Sequence, residues 1–318
     1  MTNFKIIQKR NIWLGISGAL FAVFLTALLV WGLKFGIDFT GGSLLEVKYM
    51  SERPTVSQTE TTLADLKLSS LIIQPVGEQG MLLRFQETSE ETHQAVISKL
   101  TDSVPSAPLA NSGQDSSGQA RVENQDNSIE ELRFESVGPS IGAELKVKSL
   151  WAMFFALIAM LGYITYAFKK VSKPIASWKY GLAALVAMFH DSIITIGIFA
   201  VLGKFYGVEI NIAFVAAVLT VIGYSVHDSI VVFDRVRENL PKSDLDFAGT
   251  VNTSLNQTLL RSLSTSLTSL LVLVSIIIFG GETIRTFALA LAIGIFAGTY
   301  SSIFVASPIL VVWEQWKK

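Results

Sequence analysis

The chain has 318 residues with a formal net charge of −1, and only 16% of them are charged, against roughly 25% in ordinary soluble domains. With 50% hydrophobic residues and a mean hydropathy of +0.48, this composition argues against a wholly soluble enzyme. The absence of cysteine excludes disulfides, cysteine-ligated zinc and thiol nucleophiles.

Six apolar stretches are long enough to cross a membrane as helices. The first, Asn11–Leu33, has about 23 residues, enough for roughly 30 Å of hydrocarbon. A cleaved signal peptide is the alternative, but the stretch exceeds an h-region of about 7–15 residues and no A-x-A site follows it. Six spans place both termini on one side. The other predicted spans are Leu150–Phe168, Tyr180–Leu202, Ile210–Phe233, Leu259–Phe279 and Ile284–Trp313.

The charges of the short loops predict the orientation of these spans. The short loops on one side contain only Lys204 and Arg285. We therefore expect both termini on the opposite, cytoplasmic side, where the basic residues are an orientation signal rather than a nucleic-acid surface. That side collects Lys5, Lys9, Arg10, Lys169, Lys170, Lys173, Lys179, Arg235, Arg237, Lys242, Lys317 and Lys318.

The long segment between the first two spans then lies outside and predicts a small α+β domain. Its order of elements, β-α-β-β-α-β, is that of the split βαβ or ferredoxin-like arrangement. His93 is its single histidine and is placed on the polar side of a helix, so no metal site is expected. The predicted strands and helices are Ser43–Met50, Val56–Lys67, Leu71–Val76, Met81–Gln86, Ser89–Leu100 and Glu131–Val137.

Three parts of the chain follow from this pattern. Residues 1–35 form the cytoplasmic N-terminus and first helix, residues 36–143 the outer domain, and residues 144–318 a five-helix membrane domain. Within the outer domain, residues 105–128 are rich in Ser, Gly, Asn and Gln, which predicts a flexible insertion.

Three ionisable residues inside the predicted spans are candidates for function, because such groups cost at least about 2.5–3.5 kcal/mol near mid-membrane. Asp228 lies near the end of the fourth span and Arg261 near the start of the fifth. Since these spans run antiparallel, the two side chains are predicted to reach the same depth and pair. Asp191 is expected closer to the middle of the membrane.

Pairing would give Asp228 the properties of a proton carrier. The guanidinium of Arg261 keeps its charge, whereas a carboxylate beside it can change protonation state when water access or distance changes. The alternatives are a static ion pair that holds two helices together, or an arginine that extends to the headgroups.

Further polar residues accompany these charges. His190–Ile193 recurs as His227–Ile230, which is either a proton wire or a pair of polar helix contacts. Each histidine precedes its aspartate, so we expect it to point away from the carboxylate and not to bind metal. Thr258, Ser262 and Thr265 in the fifth span either line a wet crevice or bond across helices. A GxxxG pattern in the sixth span predicts close helix packing at Gly294 and Gly298.

Four motifs together resemble the SecF members of the SecD/SecF family, within the RND superfamily. They are Phe35-Gly36-Ile37-Asp38-Phe39-Thr40-Gly41-Gly42, Glu135–Gly142, Gly223–Asn239, and Asn256-Gln257-Thr258 with Arg261. The family motif that follows the first span comprises Gly36, Asp38, Gly41 and Gly42.

The resemblance implies an RND-type fold of six helices with an extracytoplasmic ferredoxin-like domain. It implies a non-enzymatic subunit that works with SecD at the SecYEG channel, where the proton-motive force promotes preprotein translocation after the step driven by SecA. The positions of Asp228 and Arg261 match family residues needed for this coupling. No cofactor beyond protons is expected. The implied location is the bacterial inner membrane, or also the thylakoid membrane in a photosynthetic bacterium.

Two other functions are weighed against this one. An RND-type proton-driven exporter of small molecules or lipids would usually carry about twelve spans in one chain, whereas six are predicted here. A purely structural membrane scaffold would use the buried charges only as clamps between helices.

Overall fold

A computed structural model describes residues 4–103, 129–167 and 176–316, so the predicted insertion at residues 105–128 lies outside the described residues. The helices are α1 Arg10–Trp31, α2 Ile37–Thr40, α3 Val56–Leu63, α4 Glu90–Asp102, α5 Pro139–Ala167, α6 Ser177–Tyr206, α7 Ile212–Asn239, α8 Phe247–Phe279, α9 Glu282–Ser301 and α10 Ser307–Gln315. The strands are β1 Gly42–Tyr49, β2 Ile72–Val76, β3 Gly80–Phe85 and β4 Ile129–Val137.

The chain divides into two compact units. One combines Met1–Phe35 with Val147–Lys318, and the other is Gly36–Lys146. The first unit holds the long apolar helices, and the second holds the sheet.

Within the described ranges, 6 helical segments are long and apolar enough to cross a membrane, which confirms the predicted spans. Their ends extend beyond the apolar windows. The helix α8 begins at Phe247, where the side chain of Asp246 accepts a hydrogen bond from the backbone N–H of Gly249 at 2.8 Å. Arg261 is therefore well inside this helix rather than near its start.

The last span is not one continuous α-helix. A π-helical segment, Ser302–Ala306, separates α9 from α10. Pro308 is the second residue after this segment, and a proline lacks a backbone N–H and its ring clashes with the carbonyl four residues earlier. The wider turn removes this conflict without ending the span.

The helices α6, α7 and α9 form the buried centre of the helical unit. A Cβ added to Gly298 would lie 3.2 Å from the Cα of Ser225 on α7, and one added to Gly294 would overlap the side chain of Val221. The two glycines therefore let α7 and α9 approach closely, as the GxxxG pattern predicted.

Two connections meet at one end of the helical unit. Ile210, between α6 and α7, donates its backbone N–H to the carbonyl of Lys34 after α1 at 2.8 Å. The ammonium of Lys34 lies 3.4 Å from a carboxylate oxygen of Glu209. At the other end, the side chain of Asn252 on α8 accepts from the backbone N–H groups of Ile6 and Ile7.

The second unit is a four-stranded antiparallel sheet in the order β2-β3-β1-β4. The strand β3 lies between β1 and β2, which is the split βαβ arrangement, so the ferredoxin-like prediction is confirmed. Alternate residues of β1, including Leu45, Val47 and Tyr49, are buried in the core between sheet and helices.

One expectation for this domain was wrong. His93 on α4 is buried rather than on the polar side of its helix. Its ring stacks on Phe134 with centroids 3.7 Å apart, and its two nitrogens lie 3.0 Å from Glu90 and 3.2 Å from Glu131. Glu90 hydrogen-bonds to Nδ1, whereas Nε2 lies near the carboxylate of Glu131 without forming a hydrogen bond, so the ring occupies a core position with one of its nitrogens satisfied.

The paired glycines of the family motif are required by backbone geometry. Gly41 and Gly42 have φ angles of 74° and 116°, in a region that other residues rarely adopt. A Cβ on Gly41 would lie 2.6 Å from the Cα of Pro139, and one on Gly42 would lie 2.7 Å from the carbonyl oxygen of Phe85. Any side chain here would separate β1 from its neighbours. Gly36 and Asp38, the other residues of the motif, cap and begin the short helix α2.

Candidate functional site

Asp228 is held by hydroxyl groups from two neighbouring elements. It lies on α7 with 5% of its surface exposed. One carboxylate oxygen accepts from Ser262 on α8 at 2.9 Å, and the other accepts from Ser302 in the π-helical segment at 3.0 Å. The carboxylate thus joins three consecutive spans through hydrogen bonds that favour its charged form.

The predicted ion pair between Asp228 and Arg261 is absent among the described residues. Arg261 is exposed, and Ser262, the next residue of α8, occupies the position facing Asp228. Successive helical residues are rotated by about 100°, because α-helices have 3.6 residues per turn. Placing Ser262 against the carboxylate therefore turns Arg261 away from it.

Of the supporting polar residues predicted from sequence, Ser262 alone bonds to Asp228. The hydroxyl of Thr258 donates to carbonyls of its own helix, 3.1 Å to Ser254 and 3.2 Å to Leu255. Thr265 likewise donates to the carbonyl of Arg261 at 3.0 Å. The hydroxyls of both threonines are therefore hydrogen-bonded within their own helix, and the hydrogen bonds to Asp228 come from serines.

A second carboxylate site surrounds Asp191 on α6. Its carboxylate is fully buried. One oxygen lies 2.9 Å from Nδ1 of His190, and the other accepts from Ser225 on α7 at 2.6 Å and from Ser301 on α9 at 2.5 Å. The expectation that His190 points away from its aspartate was wrong, whereas the equivalent His227 is exposed.

The two aspartate sites are built from the same spacing. In each, the carboxylate binds a serine 34 residues later on the next helix. Each also binds one of the adjacent serines 301 and 302 near the end of α9. Sequence reasoning missed Ser225, Ser301 and Ser302. The repeat of His-Asp-Ser-Ile could have located Ser225, since it precedes Ser262 by the same interval that separates the two aspartates.

The outer surface of α8 carries an exposed polar stripe. We use this name for Arg261, Ser264, Thr265 and Thr268, which recur at i, i+3, i+4 and i+7 and so share one helix face. Exposed apolar residues flank it, including Leu260 and Leu267. The threonines bond to carbonyls within the helix, but a guanidinium in hydrocarbon needs water or a partner.

The ionisable groups at these sites are carboxylates and one imidazole. Across the described ranges, no group of three or more His, Cys, Asp or Glu side chains could hold a metal ion. What the helices do present is two buried carboxylates, with an imidazole beside one of them. Polytopic membrane proteins with intramembrane carboxylates on facing helices form the class that this fold and these sites define.

Comparison with known proteins identifies the family within this class. The chain matches the family "Protein export membrane protein SecD/SecF, C-terminal" over residues 118–316 and the "SecD/SecF GG Motif" over residues 26–49. The second match contains the paired glycines described above. The chain belongs to the SecD/SecF family of protein export membrane proteins.

Individual relatives agree with this assignment. The chain is 43% identical over 290 residues to "Protein translocase subunit SecF" of Thermobaculum terrenum, covering 91% of this chain and 87% of that protein. The subunit of the same name from Anaerolinea thermophila is 35% identical, with 98% and 96% covered.

A solved structure is also similar. SecDF of Thermus thermophilus, a translocon-associated membrane protein, matches 99% of this chain with a TM-score of 0.79 and 30% sequence identity. The chain corresponds to 39% of that longer protein.

Proposed function

We propose that this chain is a subunit of the Sec protein-export machinery and uses the proton-motive force, together with a SecD subunit, to promote preprotein translocation. The family assignment supports the role in export, and the buried carboxylate of Asp228 carries the proposal of proton coupling. The chain has no enzymatic role in this proposal. Protons from the membrane gradient are its only required ligand.

Asp228 couples protonation to helix position through its two serine donors. As a carboxylate it draws the hydroxyls of Ser262 and Ser302 together from different elements. Once protonated it is a weaker acceptor, and Ser302 has an alternative acceptor in the carbonyl of Thr299 at 3.0 Å. Loss of these charge-assisted bonds, each worth about 1.5–3 kcal/mol, lets α8 and the π-helical segment separate from α7.

Arg261 acts in this proposal through the partner subunit rather than by pairing within the chain. The polar stripe on α8 places its guanidinium on the outside of the helical unit, one residue from a serine that binds Asp228. A SecD subunit packed on this stripe would shield the charge from lipid and enclose a path to the carboxylate. The fact that the similar SecDF is a much longer chain supports such a partner.

The proposed setting follows from the charges of the short loops. Both termini lie in the cytoplasm and the ferredoxin-like domain lies outside the bacterial inner membrane, or also the thylakoid membrane in a photosynthetic bacterium. There the domain meets the preprotein as it emerges from SecYEG, after the step driven by SecA. Movement of the helices would change how the domain contacts that chain.

The test is proton-dependent export by the assembled complex in inverted membrane vesicles. We expect Asp228→Asn to remove the stimulation of export by the proton-motive force and Arg261→Ala to reduce it at least tenfold, while Arg261→Lys restores part of it. Asp234→Asn is the matched control, because Asp234 lies on the same helix and pairs with Arg237. If Asp228→Asn and Arg261→Ala both retained full stimulation, the proposal would be wrong.

A further inference from the structure

The site around Asp191 contains a histidine, and the proposed coupling at Asp228 does not involve it. Asp191 is fully buried, and three groups contact its carboxylate: Nδ1 of His190 and the hydroxyls of Ser225 and Ser301. Since serine hydroxyls donate to a carboxylate, the arrangement is that of an ionised aspartate. Beside an ionised carboxylate, the hydrogen bond at Nδ1 requires that the imidazole donate it.

The other nitrogen of His190 has a different environment. His190 is 5% exposed, and its Nε2 has no hydrogen-bond partner among the residues that the structure describes. The ring lines an apolar groove of about 590 Å³ formed by α1, α5, α6 and the π-helical segment. Phe21 lies parallel to the imidazole, with centroids 6.3 Å apart and planes inclined by 12°. With Nδ1 engaged, Nε2 is a buried nitrogen without a hydrogen-bond partner, in a ring that lines this groove.

The net charge of the pair favours binding of a proton at Nε2 of His190. With a neutral imidazole, the pair of His190 and Asp191 carries one net negative charge in a segment that otherwise crosses hydrocarbon. A proton on Nε2 makes an imidazolium beside a carboxylate, which is net neutral. Buried charges are tolerated when they are paired and hydrogen-bonded.

We propose that His190 and Asp191 form a second proton-binding site in this chain, which takes up one proton at Nε2 of the imidazole. In this uptake, the Nε2 lone pair forms a bond to the proton, the Nδ1 proton stays between the ring and Asp191, and no other bond changes. The site is separate from the proton carrier proposed at Asp228.

Within the described part of the chain, the surrounding elements bring no other hydrogen-bond partner to this imidazole. The helix α1 has no ionisable residue between Arg10 and Trp31. The hydroxyl of Tyr300 on α9 is engaged with Ser17 at 3.0 Å, on the wall of the groove. Among the residues that the structure describes, no further titratable side chain hydrogen-bonds to His190 or Asp191.

The repeat supplies an internal reference for the proposal. His227 stands in the same position relative to Asp228 but is exposed. If the adjacent aspartate in the sequence alone set the tautomer of each histidine, His190 and His227 would have the same tautomer. The structure instead predicts that only the buried one holds its proton on Nδ1 and depends on its aspartate.

The chain's 3 histidines make the test direct. We would label them with ¹⁵N in the full chain, reconstitute it in lipid bilayers and record solid-state NMR spectra from pH 8.5 to 5.0. His190→Asn, His93→Asn and His227→Asn assign the signals. We expect the signal of His190 to show the Nδ1–H tautomer at pH 8.5 and an imidazolium at pH 5.0.

Two variants then separate a proton site from a merely structural contact. Asp191→Asn should return His190 to the common Nε2–H tautomer and lower its imidazolium-to-neutral ratio at pH 5.0 at least about tenfold, the effect of losing an adjacent opposite charge. Ser225→Ala removes one donor but keeps the carboxylate, so the imidazolium fraction at pH 6.5 should rise. If Asp191→Asn fails to fold, Ser225→Ala still tests the proposal. Asp228→Asn is the control and should leave the signal of His190 unchanged.

Several results would overturn the proposal. They are an Nε2–H tautomer in the unmodified chain, an imidazole that stays neutral down to pH 5.0, and a tautomer and imidazolium fraction that neither Asp191→Asn nor Ser225→Ala alters. The measurement does not involve export. Failure of proton coupling at Asp228 and failure of this site are therefore distinguished by separate experiments.

Discussion

Asp191 and Asp228 occupy equivalent positions on consecutive helices, yet their surroundings differ. Asp191 is fully buried and has three partners, one of them an imidazole, whereas Asp228 is 5% exposed and has two serine partners. The exposed Arg261 also lies beside the site of Asp228, one residue from Ser262. The same repeated sequence has thus produced two buried carboxylates, of which only Asp228 has an exposed cation on the neighbouring helix within one residue of its serine donor.

The largest difference is expected on removing each carboxylate. Asp191→Ala leaves three groups without their acceptor in a buried site, and each unsatisfied group costs about 1–3 kcal/mol. We therefore expect the chain to lose about 3 kcal/mol of unfolding free energy, and about 2 kcal/mol for Asp228→Ala, which leaves two such groups. Steric trapping in bicelles measures both values. Equal losses would mean that the enclosure of Asp191 has no energetic consequence.

A substitution between the helices should affect both sites together. Gly294→Val would force α9 away from Val221 on α7, and such overpacking costs about 1–3 kcal/mol. Since α7 carries Ser225 and Asp228, separation from α9 should weaken both carboxylate sites. The same unfolding measurement checks this, with Gly162→Val as the control, because a Cβ at Gly162 meets nothing within 4 Å. An undisturbed Gly294→Val variant would contradict the close approach of α7 and α9.

The two equivalent serines give a finer comparison. Ser225 lies 2.6 Å from Asp191, and Ser262 lies 2.9 Å from Asp228. Each alanine substitution removes one hydrogen bond to a charged group, worth about 1.5–3 kcal/mol, and we expect the greater loss for Ser225→Ala. A greater loss of unfolding free energy for Ser262→Ala would contradict the expectation that the hydrogen bond to Asp191 is the stronger of the two.

Tyr49 in the ferredoxin-like domain shows how burial acts on a single ionisable group, and its effect is the smallest at neutral pH. Burial raises the pKa of Tyr49 to about 12, against about 10 for an exposed tyrosine. The neutral phenol therefore stabilises the fold below pH ~10, and this contribution, up to about 3 kcal/mol, is lost as the pH rises towards 12.

Tyr49→Phe removes that titration. We expect its alkaline unfolding midpoint to lie higher than that of the unmodified chain, with little change at pH 7. Circular dichroism against pH follows unfolding, and the absorbance at 295 nm follows tyrosinate. Identical alkaline transitions in the two chains would show that Tyr49 does not govern them.

Much of the architecture could be predicted from the sequence because it depends on periodicity and length. Apolar runs of about 20 residues must be helical in a membrane, and alternation in the outer segment predicted β1 to β4. Helix ends were less predictable, since a polar first turn such as that of α8 is helical through its Asp246 cap rather than through hydropathy. This shift of the start of α8 contributed to the wrong expectation for Arg261.

The sequence by itself determined six apolar segments long enough to cross a membrane, a split βαβ domain between the first two, and the position of Asp191 and Asp228 within such segments. Only the tertiary structure decided which side chains meet these carboxylates. Rotation by about 100° per residue places Ser262 inward and Arg261 outward on the same helix, and the helix crossing at Gly294 and Gly298 sets how closely α9 approaches α7. Such contacts depend on the mutual orientation of packed helices, which no local pattern specifies.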